Sequence, residues 1–360
     1  MTKEPIKSDL AMMATRLLAL PEGQGKALEL ARALYNQGRR EAAAEIEQLV
    51  LEKGTAEAKH RWRLAQSARA PANQYRLINS PQRTSAFKAA LDAIIRPGST
   101  VLEIGTGSGI LSMLAARAGA RHVYTCEHQI LMAEVAREIV NDNNLNKSIT
   151  VIAKSSDQLE LGIDVSHQVD VILCDVFTGS LLEAGGLGLV ARAAKTFLEP
   201  GGQVIPGLGA IRGSLVGGED LEALCRCVNS DGMDLQRFNL FSPTKLQLQP
   251  DQFQRLDIQS YSAPLNCFEF VIGHPDSDRP RRQLSEVEIT RSGTITGLLQ
   301  WTDLELAPGI RLHGSPGEPI SWPRFLHVFP EPIQVRSGQS LSLMQEHKSL
   351  QFSVWPHLDQ

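Results

Sequence analysis

The sequence predicts an α/β protein: a parallel sheet covered by helices on both faces, preceded by a helical extension and followed by a mostly antiparallel β unit. Three observations predict it. Short apolar strands alternate with helical periods from about residue 84 to residue 205, the pattern of a parallel sheet with crossover helices. The first of those strands runs into a glycine-rich turn and then a helix. Beyond Pro206 the helical periodicity fades, and Gly, Pro and Ser punctuate short alternating runs. With 360 residues, 42% of them hydrophobic and 21% charged, the chain can build two or three units around a sizeable core.

Taken in order, residues 1–70 are rich in Ala, Leu, Glu, Gln and Arg. They set apolar side chains at helical spacing through Ala27, Leu28, Leu30, Ala31 and Leu34, and again through Ala42, Ile46, Leu49 and Val50. A stop near Asn36-Gln37-Gly38 and a restart at Arg39-Arg40-Glu41 make an antiparallel helix pair. It reads either as one tetratricopeptide-type hairpin or as a helical extension packed on the body, since a solenoid needs about three repeats. Residues 68–74 form a linker. Residues 71–206 hold a helix at 84–95, strands at 100–104, 122–126, 149–153, 169–174 and 203–205, and helices at 131–141 and 187–197. Residues 207–360 form the antiparallel unit, with strands expected at 268–272, 285–289 and 297–306.

The formal net charge is −4, from 36 basic and 40 acidic side chains with no block of one sign. That balance offers no electrostatic footprint for nucleic acid or an anionic membrane. The cysteines Cys126, Cys174, Cys225, Cys227 and Cys267 are too few and too scattered for a disulfide framework, which points to a reducing, cytoplasmic compartment. The first residues lack the apolar run of a signal peptide, and no apolar stretch reaches membrane-spanning length. Cys225-Arg226-Cys227 has no partners at zinc spacing, so no metal site is expected.

The chemistry concentrates where Val101-Leu102-Glu103-Ile104 meets Gly105-Thr106-Gly107-Ser108-Gly109-Ile110. Glycines let the backbone approach a ligand closely, and the start of the next helix offers free N–H groups. The spacing is GxGxG and not the dinucleotide GxGxxG, so a ligand with an amino-acid moiety and a ribose is matched better than a pyrophosphate. Glu103, Gly105, Thr106, Gly107 and Gly109 are the candidate contacts. The second strand ends in Glu127, about twenty residues on, where a carboxylate accepts both ribose hydroxyls; a solvated strand-end acid is the alternative. The third strand leads to Ser155-Ser156-Asp157, which sets Ser156 and Asp157 beside an adenine amino group. The carboxylate of the ligand needs a cation, best supplied by a planar Arg fork. Arg83 and Arg76 both lie nearby.

Together these segments resemble the protein arginine N-methyltransferase family. The resemblance covers residues 75–216 and, more loosely, the chain to residue 354. It is carried by LINSPQRTSAF (77–87), VLEIGTGSGILSMLAARAGARHVYTCE (101–127), FLEPGGQVIP (197–206), GMDLQRF (232–238) and SWPRFLHVFPEPIQVRSGQ (321–339), in that order. The sequence looks most like divergent members with a WxD element, here Trp301-Thr302-Asp303, one of which has an N-terminal tetratricopeptide region. The resemblance implies a Rossmann-like class I methyltransferase domain followed by a β-barrel, with the substrate between them. It implies S-adenosyl-L-methionine as cofactor, with Arg83 on its carboxylate, Glu127 on its ribose and Asp157 on its adenine. It also implies a homodimer formed through a helical arm, for which residues 218–228 are available.

Methyl transfer from a sulfonium is an in-line displacement, so the acceptor lone pair must lie opposite the methyl–sulfur bond. A guanidinium is a poor nucleophile because it stays protonated, with a pKa above about 12. Two carboxylates on its non-reacting nitrogens draw the positive charge towards themselves and leave the attacking nitrogen richer in electrons. By resemblance, that pair belongs in the loop after the fourth strand, residues 174–186. Asp175 falls on the first family glutamate, one methylene shorter; Ala184 falls on the second, with Glu183 one residue away. Asp175 and Glu183 are therefore the candidate catalytic acids, displaced from the family's arrangement. The family's Thr-His-Trp element aligns with Ile320-Ser321-Trp322, so its histidine is missing while Trp322 can wall the substrate pocket. His327, Trp301 and Asp303 lie on nearby strands as core, surface or contributors.

Three functions follow. The first is N-methyl transfer to a guanidino nitrogen of protein arginine, free arginine or a related metabolite. The second is methyl transfer to a different nucleophile, which the altered loop allows. The third is a cofactor-binding scaffold without catalysis that recruits partners through its N-terminal helices.

Overall fold

A computed structural model describes residues 9–20, 23–37, 39–67, 74–177, 179–182, 185–318, 322–348 and 350–357. It opens with helices α1 (Asp9–Leu18), α2 (Gly23–Asn36), α3 (Arg40–Lys53) and α4 (Ala56–Ser67). Their apolar faces meet in a core of their own, built on Ala27, Ala31, Leu34, Ala43, Ile46 and Val50. The expected pair is α2 and α3, broken at Asn36 and resumed at Arg40, and α1 and α4 pack beside it. All but Gln74 of the expected linker falls at 68–73, outside the described residues.

Next come α5 (Gln74–Ile78) and α6 (Pro81–Ile94). α6 starts three residues before apolar periodicity alone would begin it, because Pro81 takes the first helical position after an extended Ser80. The alternating stretch is β1 (Thr100–Ile104), α7 (Ile110–Arg117), β2 (His122–Cys126), α8 (Ile130–Asp142), β3 (Ile149–Ile152), β4 (Val169–Cys174), α9 (Gly186–Phe197) and β5 (Leu198–Ile205). The strands run parallel in the order β3-β2-β1-β4-β5. Every residue of β1 is buried, as a central strand covered on both faces requires. β5 is longer than expected because a register shift between Val169 and Val171 lets Pro200-Gly201-Gly202 stay within the strand. The order reverses between β1 and β4, so a crevice opens at the carboxyl ends of β1, β2 and β4.

The rest of the chain is antiparallel: β6 (Leu208–Gly217), α10 (Glu219–Cys225), β7 (Asn229–Ser230), β8 (Met233–Asp234), β9 (Lys245–Leu248), α11 (Pro250–Phe253), β10 (Gln259–Ser260) and β11 (Leu265–Val271). It continues through β12 (Arg281–Glu288), β13 (Gly293–Ala307), β14 (Ile310–His313), β15 (Arg324–Val335), β16 (Ser340–Lys348) and β17 (Gln351–Pro356). One sheet follows β10-β6-β13-β15-β9, with β11 on β6 and β14 on β13; a second is β12-β16-β17. Helix α6 packs against β13 and β14. A single hydrophobic core therefore runs from Phe87 and Leu91 through Leu181 to Ile211, Leu304 and Leu312. Among the described residues, no helix is long and apolar enough to cross a membrane.

Candidate active site

The turn after β1 is shaped by three glycines with positive φ, Gly105 at +83°, Gly107 at +52° and Gly109 at +78°. Only glycine adopts these angles without strain. The N–H groups of Gly105 and Thr106 both donate to Cys126 O at 3.0 Å, which pins the turn to the end of β2. A Cβ on Gly107 would stand 3.5 Å from Gln74 Oε1, so α5 lies over the turn. A Cβ on Gly105 would stand 3.2 Å from Val176, in the loop after β4.

Two carboxylates brace this turn in different ways. Glu103 is buried, and its Oε2 accepts from the hydroxyls of Ser112 and Thr125. Burial pushes its pKa up to about 7, against the pull of those two donors. Thr125 also bonds Thr106 at 2.6 Å, so Glu103 reaches the turn through a chain of hydroxyls. Glu127 is 5% exposed. It accepts from Gly107 N at 3.2 Å and Gln129 N at 3.0 Å, and pairs with His128 Nδ1 at 2.9 Å. Burial alone would raise its pKa, but the His128, Gln129 and Gly107 donors outweigh it and hold the group below the ordinary carboxylate range. Beyond β3, Ser156 is half-buried and Asp157 exposed; the Ser155 hydroxyl bonds Asp157 and lowers its pKa.

On the other side of the crevice, Arg83 of α6 donates from Nε to Asp175 Oδ2 at 2.5 Å, and both side chains are nearly buried. Arg76, the other arginine in reach by sequence, donates to Gln249 instead. Four residues after Asp175, Gly179 has φ +63° and presses on Pro323: a Cβ there would lie 2.8 Å from the proline ring. Thr302 Oγ1 donates to Gly179 O at 3.0 Å. The β13–β15 region therefore clamps the loop from the antiparallel side. Trp322, next to Pro323, is buried. Glu183, Ala184, Ile320 and Ser321 lie outside the described residues.

The remaining candidates go elsewhere. Alternation along β13 turns Trp301 and Asp303 to the face opposite Thr302. There Asp303 lines a groove of about 240 Å³ with Arg212, Glu269, Glu305, Arg311 and His313. His327 is buried in the antiparallel unit against Gln300, 2.7 Å away, and Phe352. Sequence reading did not single out Ser112, Thr125, His128, Gln74, Thr302 or Pro323. Only His128, adjacent to Glu127, and Thr302, inside the Trp301-Thr302-Asp303 element, had a local signal.

An arginine N(omega)-methyltransferase of Streptomyces achromogenes subsp. streptozoticus is 32% identical over 279 residues, which span 76% of this chain and 75% of the relative. The chain belongs to the arginine N-methyltransferase family. It is accordingly an S-adenosyl-L-methionine-dependent methyltransferase. Two family members called protein arginine N-methyltransferase 7, from Oryza sativa subsp. indica and Mus musculus, are 28% and 27% identical, and the chain spans about a third of their length (34% and 35%). The family model described as Ribosomal protein L11 methyltransferase (PrmA) matches residues 83–208, from Arg83 to the start of β6. The Trypanosoma brucei PRMT1 enzyme-prozyme heterotetrameric complex with AdoHcy superposes with a TM-score of 0.67 at 21% identity, over 81% of this chain and 98% of that one. The methyltransferase fold thus extends through the antiparallel sheets.

Proposed function

We propose that this arginine methyltransferase acts on a guanidino nitrogen of a small acceptor, free arginine or a close relative, in preference to protein arginine. The observation that carries the reading is the Arg83–Asp175 pair: a nearly buried carboxylate at the mouth of the crevice already holds a guanidinium. The preference for a small acceptor is supported by the relative matched over three quarters of its length, which is named for arginine itself.

The residues fit the cofactor. A turn of positive-φ glycines presents backbone without side chains to the crevice, and the Glu127 carboxylate is held in its charged form beside it. S-adenosyl-L-methionine supplies an electrophilic methyl group on its sulfonium when bound. In this reading the terminal nitrogens of Arg83 hold the cofactor carboxylate while its Nε holds Asp175. Glu127 accepts the ribose hydroxyls, and Ser156 and Asp157 meet the adenine edge. Gly105, Thr106, Gly107 and Gly109 give the backbone approach, and Glu103 stiffens it. Asp175 grips a non-reacting nitrogen of the acceptor, drawing positive charge away from the attacking one. Glu183 is the second acid and Trp322 a wall.

In this reading the three units are residues 1–70, 71–206 and 207–360, in a cytoplasmic enzyme whose five cysteines stay reduced. A homodimer is supported by the apolar surface of 228–241, where Val228, Met233, Phe238, Leu240 and Phe241 are exposed, Leu240 by 88%. The function is tested by mass-spectrometric methyl transfer from S-adenosyl-L-methionine to free arginine, arginine-rich peptides and a matching lysine set. Methylarginine from the free amino acid is expected; methylated peptide alone would move the assignment to protein arginine, and methyllysine would end the guanidine reading.

A further inference from the structure

The carboxylate of Glu127 is already nearly full. Its Oε1 accepts from His128 Nδ1 at 2.9 Å and from Gln129 N at 3.0 Å, and its Oε2 accepts from Gly107 N at 3.2 Å. An ionised carboxylate only accepts, and it offers about four lone-pair sites over its two oxygens. Three donors among the described residues therefore leave one site open, on Oε2. A ribose diol brings two hydroxyls to the same carboxylate. One of the three donors has to give way before both hydroxyls are held.

The donors differ in how easily they leave. Gly107 N–H belongs to the glycine turn, whose Gly105 and Thr106 N–H groups are pinned to Cys126 O. Gln129 N–H stands at the N-cap of α8. Both are backbone groups, and displacing either moves the turn or the start of the helix. His128 reaches Oε1 with a side chain that is 61% exposed. Rotation about its own side-chain bonds passes the Nδ1–H to water, so only the net worth of one hydrogen bond is lost. Glu127 stays in place without it, held by the two backbone donors.

We propose that His128 is a built-in competitor for the ribose: its imidazole fills the site on Oε1 that one ribose hydroxyl takes, and binding of the cofactor turns it out. This rests on the assignment of Glu127 to the ribose made above. S-adenosyl-L-methionine and S-adenosylhomocysteine share that ribose, so His128 weakens methyl donor and spent product alike. Uniform weakening of this kind acts on KM rather than on the chemical step. It also shortens the stay of the product, whose release limits the turnover of many enzymes. A histidine that merely steadied Glu127 would act in the opposite sense, since its removal would loosen the cofactor.

The sign of the effect is therefore the test. Calorimetry compares S-adenosylhomocysteine and its 2′-deoxy and 3′-deoxy forms on the full chain as wild type, His128→Ala and Glu127→Gln. His128→Ala is expected to bind S-adenosylhomocysteine about 3- to 10-fold more tightly than the wild type, the worth of one hydrogen bond that no longer has to be displaced. That gain is expected to vanish for the deoxy form lacking the hydroxyl seated on Oε1 and to persist for the other. Equal or weaker binding of S-adenosylhomocysteine by His128→Ala overturns the proposal. So does an equal gain for all three ligands, which would mark a general change in the fold. If Glu127→Gln binds S-adenosylhomocysteine as tightly as the wild type, the ribose assignment falls and this proposal falls with it. If Glu127→Gln weakens binding while His128→Ala gains nothing, the proposal alone falls.

Discussion

The cofactor half of the crevice and its acceptor half are built on different scales of the chain. The hydrogen bonds that shape the glycine turn join residues 9 to 22 positions apart, from Ser112–Glu103 to Thr125–Glu103. The acceptor loop is held from afar: Arg83 reaches Asp175 across 92 positions, and Thr302 reaches Gly179 across 123. The glycine turn is complete once β1 and β2 pair. The Thr302 clamp exists only when the antiparallel sheet has docked. Cofactor affinity and acceptor turnover are thus separable by mutation, and the predictions below test that division.

The largest effect is expected from Asp175→Asn, which keeps the side-chain shape and removes the charge. Turnover is expected to fall about 100-fold or more, the cost of losing one preorganised electrostatic partner. S-adenosyl-L-methionine affinity, followed by calorimetry, is expected to change far less. An equal loss in both would break the division.

The two sheet units are also expected to titrate in opposite senses. Burial pulls His327 and His347 of the antiparallel unit from 6.5 down to about 3 and about 4. Between those values and 6.5 the unfolded chain binds more protons, so their contribution is full above pH 6.5 and is lost as pH falls. Glu103 of the parallel sheet behaves in reverse. Its pKa rises from 4.5 to about 7, so its contribution is full below pH 4.5 and is lost as pH rises through 7. Urea unfolding between pH 4 and pH 8 is expected to show a maximum near pH 6.5, with stability falling by about 3 kcal/mol or more on the acid side and by about 1 kcal/mol or less on the alkaline side. Glu103→Gln is expected to flatten the alkaline limb and to steepen the rise between pH 4.5 and 6.5, where Glu103 opposes the histidines; an unaltered alkaline limb would remove Glu103 as its source.

Glu127→Gln sharpens the comparison from the cofactor side. Losing charge-assisted bonds there is expected to weaken S-adenosyl-L-methionine binding by about 10- to 100-fold, with kcat at saturating cofactor nearly preserved. Smallest is Thr302→Val, which removes the bond to Gly179. A loss of about 1 kcal/mol in thermal unfolding is expected, together with a raised acceptor KM and an unchanged cofactor affinity. A shift in cofactor affinity would show that the clamp acts on both halves.

The same difference of scale explains what the sequence made legible. Strand, glycine turn and Glu127 lie in one contiguous run, and each has a local signature in residue type and spacing. Apolar periodicity predicts too short an α6 because it begins inside the helix, whose start is set by Pro81. The clamp on the acceptor loop leaves a fainter trace, since Pro323 comes from a segment with the periodicity of an ordinary turn and Thr302 is marked only by the element around it. The Trp301-Thr302-Asp303 element drew attention to its large and charged members. It is the small hydroxyl between them that reaches the loop, because strand alternation sends its neighbours to the other face. His327 looked available for chemistry by its residue type, but burial against Gln300 keeps it neutral.

Helix α6 has a consequence for anyone who would rebuild this enzyme from parts. It carries Arg83 into the crevice on one side and lies on β13 and β14 on the other, within one uninterrupted apolar interior. The antiparallel half is therefore not an exchangeable cartridge. A chimaera that imports a foreign substrate half must import a matching α6 face as well, or the graft will shift Arg83 away from Asp175.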